Sequence, residues 1–334
     1  MKYDVYGIGN ALVDMEFKVT EDFFTENNVE KGLMTLVEQE RQVELTEALA
    51  KNDINALKRQ CGGSAANTMI GISQFGGKSF YSCKVANDET GKFYLNDLKE
   101  NKVSTKLTEQ TAPDGVTGKC MVMVTPDADR TMNTFLGITA TYSKDELDLE
   151  ALKESKWLYV EGYLVASPTG QSAAVSAVNF ARENNVKTAF TMSDPNMVKF
   201  FRDNINEIIG SGVDLLFSNE DEAMEFTGKT TVIEAREEMK KIAKTFVITL
   251  GKNGAVIWDG TTFIDIEPFT TDAIDSNGAG DMFAGAFLYG ITNGHTYASS
   301  GILASRASSK VVSQFGPRLS TDQAIEIHKD VFSN

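Results

Sequence analysis

Short runs rich in Val, Ile, Phe and Tyr alternate with amphipathic stretches of helical period along most of the 334 residues. That alternation is the pattern of strands joined by covering helices, and it points to a largely parallel sheet buried on both faces. The spacing predicts strands over 3–8, 79–84, 157–160, 188–192, 214–217 and 245–250. It predicts helices over 65–74, 90–101, 168–184, 220–227, 232–244 and 280–292.

Two segments interrupt the alternation. Residues of about 11–37 and 103–136 read as extended chain without covering helices. Within the second, Lys119–Thr125 and Arg130–Phe135 flank a Pro126-Asp-Ala-Asp129 turn as the arms of a hairpin. No internal repeat, low-complexity tract or Pro/Gly/Ser-rich linker divides the chain. The expected organisation is one α/β domain over 1–334. It has a central, mostly parallel sheet with helices on both faces, and a small β-sheet lid formed by the two inserted segments.

Composition removes several functions. The formal net charge of −15 argues against a nucleic-acid or anionic-membrane surface, since each needs a basic face. An anionic ligand would then need backbone N–H donors, a helix N-terminus or a divalent cation close by. Cys61, Cys83 and Cys120 are odd in number and widely spaced, giving neither a disulfide framework nor a zinc cluster and fitting a reducing cytoplasm. Met1-Lys-Tyr-Asp-Val-Tyr6 lacks an apolar signal core, and no run of about 18 apolar residues occurs, so neither secretion nor membrane spanning is expected. The two histidines, His295 and His328, adjoin no Ser or Cys nucleophile motif, so a general base is expected to be a carboxylate.

The chemistry concentrates in Asp275-Ser-Asn277-Gly278-Ala279-Gly280-Asp281. Glycines at 278 and 280 let the backbone approach a ligand, and the spacing of Phe283, Ala286 and Phe287 starts a buried helix there. The N–H groups of Gly278, Ala279 and Gly280 would meet a phosphate at a helix N-terminus carrying about half a positive charge. Asp281 then stands within reach of both the phosphate and an attacking hydroxyl, as a general base must, or it is a first-turn acid that stabilises the dipole. No P-loop occurs, and Phe283 stands where a dinucleotide fingerprint needs its third glycine.

Asp275-x-Asn277-Gly278-Ala279-Gly280-Asp281 resembles the signature of the ribokinase-like (PfkB) carbohydrate and nucleoside kinases. Gly62-Gly63-Ser64-Ala-Ala-Asn67, before a helix closed by Gly76-Gly77, resembles the family's other signature. The two stand in family order and at family-like separation, so the likeness spans nearly the whole chain. It implies an ATP-dependent phosphotransferase of ribokinase-like α/β fold. Asp281 would take the proton from the substrate hydroxyl, residues 278–280 would hold the migrating phosphoryl, and Asn277, Gly278 and Gly280 would lie against ATP. Gly62, Gly63, Ser64 and Asn67 would bind sugar hydroxyls. Asn10 and Asp14, in Gly9-Asn-Ala-Leu-Val-Asp14, would grip a vicinal diol, which one carboxylate can accept with both oxygens.

On the nucleotide side, Asn219-x-x-Glu222 resembles the family motif that supports Mg²⁺ through water. Thr249 and Gly251 would lie along the nucleotide, and Lys252 is either a further cation for the phosphates or a surface lysine. Arg130 is either an arginine brought over the phosphates by lid closure or an exposed turn residue. A K⁺ site is implied near Asp275 and the carbonyls of 311–316.

The N-terminal motif and the segment to Glu38 are closer to the adenosine kinases of this family than to its ribokinases or fructokinases. Asn10 and Asp14 would then clamp a ribose. Leu12, Leu36, Met132, Leu136 and Tyr163 would form an apolar slot for the base, or are simply the core of the lid. Met34 and Thr191 depart from the glutamine and asparagine that this branch would lead one to expect, and Asp194 would compensate as an acid behind the magnesium. The expected activity is phosphorylation of a nucleoside hydroxymethyl group, adenosine to AMP. A sugar kinase for ribose or fructose, and a catalytically silent nucleoside-binding regulator, are the alternatives. The expected partner is a small molecule, with neither nucleic acid nor membrane, bound by a monomer or homodimer.

Overall fold

The computed structural model describes residues 1–32, 34–127 and 130–332. Its strands are β1 (Tyr3–Ile8), β2 (Leu12–Lys18), β3 (Met34–Leu36), β4 (Lys58–Gly62), β5 (Ser79–Ser82), β6 (Thr117–Val124), β7 (Arg130–Gly137), β8 (Ser155–Glu161), β9 (Lys187–Thr191), β10 (Val213–Asn219), β11 (Ala243–Thr249), β12 (Ala255–Trp258) and β13 (Phe263–Ile266). The α-helices are α1 (Glu21–Glu26), α2 (Gln39–Lys51), α3 (Ser64–Gln74), α4 (Glu89–Glu100), α5 (Leu149–Lys153), α6 (Pro168–Glu183), α7 (Pro195–Phe200), α8 (Arg202–Ile209), α9 (Glu220–Thr227), α10 (Val232–Met239), α11 (Ala279–Thr292), α12 (Tyr297–Val312) and α13 (Thr321–Phe332).

Eight strands form the main sheet in the order β13-β12-β11-β10-β9-β8-β1-β5. It is parallel from β11 to β5 and antiparallel at the β12–β13 edge. The apolar runs are continuous because both faces are covered. In β8, Trp157 and Tyr159 pack toward α3, α4, α11, α12 and α13, while Leu158 and Val160 pack toward the layer of α5 to α10. β10 repeats this with Leu215 and Phe217 on one face and Leu216 on the other. Each such side chain removed from water is worth about 1.5–3 kcal/mol, which holds the three layers together. The chain lays β5 on one side of β1 and β8 on the other, so the strand order reverses at β1. A crevice opens at the carboxyl ends of the strands at such a reversal, and ligands bind there.

The second sheet has the order β3-β7-β6-β2-β4. β6 and β7 form the expected antiparallel hairpin, from Thr117↔Gly137 to Val124↔Arg130. Of the expected turn, Ala128 and Asp129 lie outside the described residues. The side chains alternate by face: Cys120, Val122 and Val124 form one cluster, while Met121 and Met123 join Phe17, Phe23, Phe24, Leu45 and Leu49 in another.

Three expectations need correction. The 11–37 segment is not free of helix: Thr20 caps α1 by accepting from the Phe23 N–H, and α1 with α2 covers the outer face of the small sheet. β4 lies outside both expected segments, because it becomes a strand only by pairing with β2, Leu12↔Gly62 through Glu16↔Lys58. The helix expected over 232–244 stops at Met239, since Ala243 and Thr245 already pair with Val213 and Leu215 of β10.

Candidate active site

A cavity of about 510 Å³ lies at the carboxyl ends of the main-sheet strands, with residues of the small sheet in its wall. Asn10, Asp14, Gly63, Ser64 and Asn67 line it from the side of β1, β2 and α3. Asn219, Glu222, Thr249, Asn277, Gly278 and Gly280 line it from the side of β10, β11 and α11. Met34, Leu36, Met132, Leu136 and Leu12 come from the small sheet, facing Tyr163, Thr191 and Asp194. Gly62, Ala279, Gly251 and Lys252 do not line it, and the last two stand exposed. Arg130 lines a small neighbouring pocket with Asp14 and Asn277.

Asp281 connects the two sides. It lies in the first turn of α11, and its carboxylate is held by α3: Oδ1 accepts from Ser64 Oγ at 2.6 Å and Oδ2 from Asn67 Nδ2 at 3.0 Å. Removal from water pushes this carboxyl above the ordinary range, while those two donors and the charge of Arg318 pull it back. Asp281 is therefore oriented by two hydrogen bonds and retains affinity for a proton, the combination a general base needs.

Two further residues, absent from the sequence reading, hold Asn10 and Asn67 in place. Glu161 ends β8 and is 1% exposed. Its Oε1 accepts from the Asn10 N–H at 3.2 Å and from Asn10 Nδ2 at 3.1 Å, and its Oε2 from the Ala65 N–H at 2.8 Å. It thus ties the end of β1 to the start of α3, and burial raises its carboxyl to about 7. Arg318 donates from Nε to Asn67 Oδ1 at 3.0 Å, from Nη1 to Asp97 Oδ2 at 2.7 Å, and from Nη2 to the Cys61 carbonyl. Asp14 stands beside Gly62, where a Cβ would collide with its carboxylate. Burial lifts Asp14 to about 7, against the opposing charges of Arg318 and Arg130. Gly63 has φ +97° and lies so close to the Asn10 carbonyl that a side chain there would strike it.

The loop of residues 275–281 is more occupied than its sequence suggests. The Ala279 N–H, expected to face a phosphate, donates to the Ser276 carbonyl at 3.3 Å, which leaves Gly278 and Gly280 as the loop glycines on the cavity. Gly278 adopts φ +73° with Pro317 packed against it. Asp275 lies beneath the loop: Oδ1 accepts from the Asn277 N–H at 2.9 Å, and Oδ2 from the Gly316 N–H at 2.9 Å and from Arg130 Nη2 at 2.7 Å.

Beside the cavity, Asn219 and Glu222 form a reciprocal cap at the start of α9. Burial lifts Glu222 to about 7, with Asp194 and Asp221 adding to the rise. Among the described residues no group of three or more His, Cys, Asp or Glu could hold a metal by itself, so a divalent ion here would be completed by water and phosphate oxygens. Ser218 Oγ is buried and lacks a partner beside Asn219, and nothing beyond the neighbouring residues and backbone of α11 lies within 4 Å of a Cβ built on Gly280. Both features fit a phosphate chain.

The chain combines a mostly parallel sheet, a smaller sheet in the wall of the cavity at its carboxyl ends and a buried carboxylate in the first turn of α11, and its relatives make it a phosphotransferase with an alcohol acceptor. The chain belongs to the PfkB family of carbohydrate kinases, whose family model matches residues 32–324. The structure of adenosine kinase from Sinorhizobium meliloti superposes with TM-score 0.87 at 31% identity, covering 98% of this chain and 99% of that one. A probable sugar kinase from Rhizobium etli CFN 42 gives TM-score 0.87 at 30% identity, covering 99% of each chain. The adenosine kinase of Saccharomyces cerevisiae is 27% identical over 308 residues, 86% of this chain and 88% of that protein. Membership implies ATP as the phosphoryl donor. No α-helix of the described residues is long and apolar enough to cross a membrane.

Proposed function

We propose that the chain transfers the γ-phosphoryl group of Mg·ATP to the hydroxymethyl oxygen of a nucleoside, with adenosine converted to AMP. The observation that carries this reading is the position of Asp281, which shares the first turn of α11 with Gly280 and is bonded through Ser64 and Asn67 to the acceptor side. Asp281 accepts the proton of the acceptor hydroxyl as the oxygen attacks. Asn10 and Asp14 bind the two ribose hydroxyls, with Ser64 and Asn67 beside them, while the missing side chains of Gly62 and Gly63 leave room for the Asp14 carboxylate and the Asn10 carbonyl. The apolar wall of Leu12, Leu36, Met132, Leu136 and Tyr163 takes the base.

Bound ATP supplies the phosphoryl group, and Mg²⁺ neutralises the oxygens between which it moves. The Gly278 and Gly280 backbone would hold the phosphate, and Asn219, Glu222 and Asp194 would support the ion through water. Thr249 and Asn277 lie along the nucleotide. Gly251 and Lys252 would reach it only from outside the cavity. The small sheet acts as a lid that excludes water, whose attack on ATP is the competing reaction. A K⁺ ion would be held near Asp275 and the carbonyls of 311–316.

A sugar kinase is the second reading, favoured by Glu161, which adds a buried carboxylate to the acceptor wall, and by the equal structural likeness to a probable sugar kinase. ADP release measured with adenosine, inosine, guanosine, free ribose and free fructose separates the two. Turnover confined to the free sugars would overturn the nucleoside reading.

A further inference from the structure

The segment Gly316-Pro317-Arg318 follows α12 and touches both halves of the cavity. The Gly316 N–H donates to Asp275 Oδ2, and Pro317 packs against Gly278, so two consecutive residues brace the anion loop. The third reaches the acceptor side. Arg318 Nε donates to Asn67 Oδ1 at 3.0 Å, and Asn67 Nδ2 donates to Asp281 Oδ2 at 3.0 Å. A carboxamide presents its oxygen on one side and its nitrogen on the other, so a cation fixed on the oxygen dictates that the NH₂ group faces Asp281.

We propose that Arg318 is a positioning residue for phosphoryl transfer: acting through Asn67, it fixes the direction of the Asp281 carboxylate and places a positive charge behind it. This rests on the reading of Asp281 as the general base. The guanidinium side chain is 10% exposed, and its Nη1 and Nη2 are engaged by Asp97 and the Cys61 carbonyl, so its fork cannot swing away from Asn67. The other ionisable groups that act on Asp281 are Asp14 from β2, Tyr159 and Glu161 from β8, and Tyr163 just beyond it. All of these are acids, and Arg318 is the cation of the set.

The test is the pH profile of kcat/KM in four enzymes: wild type, Arg318→Lys, Asp97→Asn, and the double variant Arg318→Met/Asp97→Asn, which avoids leaving Asp97 without its counter-ion. In the double variant kcat falls about 100-fold, as expected for a reacting group displaced by a fraction of an ångström to an ångström. Its acid limb moves up by about one pH unit, because a nearby cation no longer favours the ionised base. Arg318→Lys keeps the limb in place but recovers kcat only in part, since the charge remains and the fork is lost. Asp97→Asn leaves the limb unraised. A double variant that loses kcat with an unmoved limb would make Arg318 a structural brace and overturn the proposal. An upward shift in Asp97→Asn alone would do the same. If the double variant does not fold, Arg318→Lys decides: an unchanged kcat overturns the proposal, and a lowered kcat with the limb in place supports it. Asp281→Asn measured alongside separates the two readings: undiminished kcat there removes the base assignment itself.

Discussion

The Arg130 guanidinium, at the start of β7, donates to the Asp275 carboxylate at 2.7 Å and so joins the small sheet to the loop that opens α11. The Asp275 side chain is fully buried, whereas that of Arg130 is 19% exposed. Truncating one partner of a buried charge pair leaves the other with only neutral donors, a loss of several kcal/mol in other systems. Arg130→Met is therefore expected to lower kcat/KM for ATP by roughly 100-fold, or about 2.7 kcal/mol. Steady-state kinetics with varied ATP check this, and an unchanged kcat/KM would mark the pair as incidental to turnover.

Ligand-free stability is expected to fall as pH rises. Asp14, Glu161 and Glu222 titrate at about 7 in the folded chain because they are buried, against roughly 4 in an unfolded one. Between those values the folded protein holds protons that the unfolded chain has released. The stability they contribute is complete below about pH 4 and is lost as pH passes through about 7. Melting temperatures measured from pH 5 to 8 without ligand should decline, and Asp14→Asn should flatten the decline while abolishing acceptor binding. A Tm that rises over this range would contradict the assigned directions.

Glu222 gives a test on the metal side. Its carboxylate orients Asn219 through the N–H at 2.9 Å and the Nδ2 at 3.0 Å. Glu222→Gln keeps the size of the side chain but removes the charge and one of the two acceptor oxygens that hold Asn219, so the Mg²⁺ concentration for half-maximal rate should rise about 10- to 100-fold, the usual effect of losing a group that supports a metal's ligands. A magnesium titration of the initial rate decides it, and an unaltered midpoint would place the ion elsewhere.

Gly278 couples conformation to packing. Any side chain there meets Pro317 and must adopt φ +73°. Gly278→Ala should cost about 1–3 kcal/mol of stability and lower kcat more than the KM for the acceptor. Denaturation and kinetics on the same preparation check both, and wild-type values for both would show that the loop tolerates displacement.

The six parallel strands of the main sheet were readable because their signals are local, whereas the antiparallel β12 and β13 at its edge were not among the expected strands. Trp157–Val160 is a continuous apolar run since both of its faces are covered, and Asn219 with Glu222 writes a helix start within four residues. The Gly278–Asp281 turn was readable for the same reason. α1 was not, because its six residues are too few to show a period. β4 was not, because Lys58-Arg-Gln has no alternation and owes its form to β2. Glu161 and Arg318 left no local trace at all. Each acts on a partner far along the chain, Asn10 at a separation of 151 residues and Asn67 at 251, and only the folded topology brings them together. The engaged Ala279 N–H was likewise invisible, since it depends on how tightly the turn winds back on Ser276.

The most direct test of the central claim is ADP release from Mg·ATP in the presence of adenosine, compared between the wild-type enzyme and Asp281→Asn. With Asp281 as the base, wild-type turnover requires the acceptor, and the variant loses about 10²- to 10⁴-fold in kcat with little change in the KM for adenosine. A variant that turns over at the wild-type rate would contradict the account.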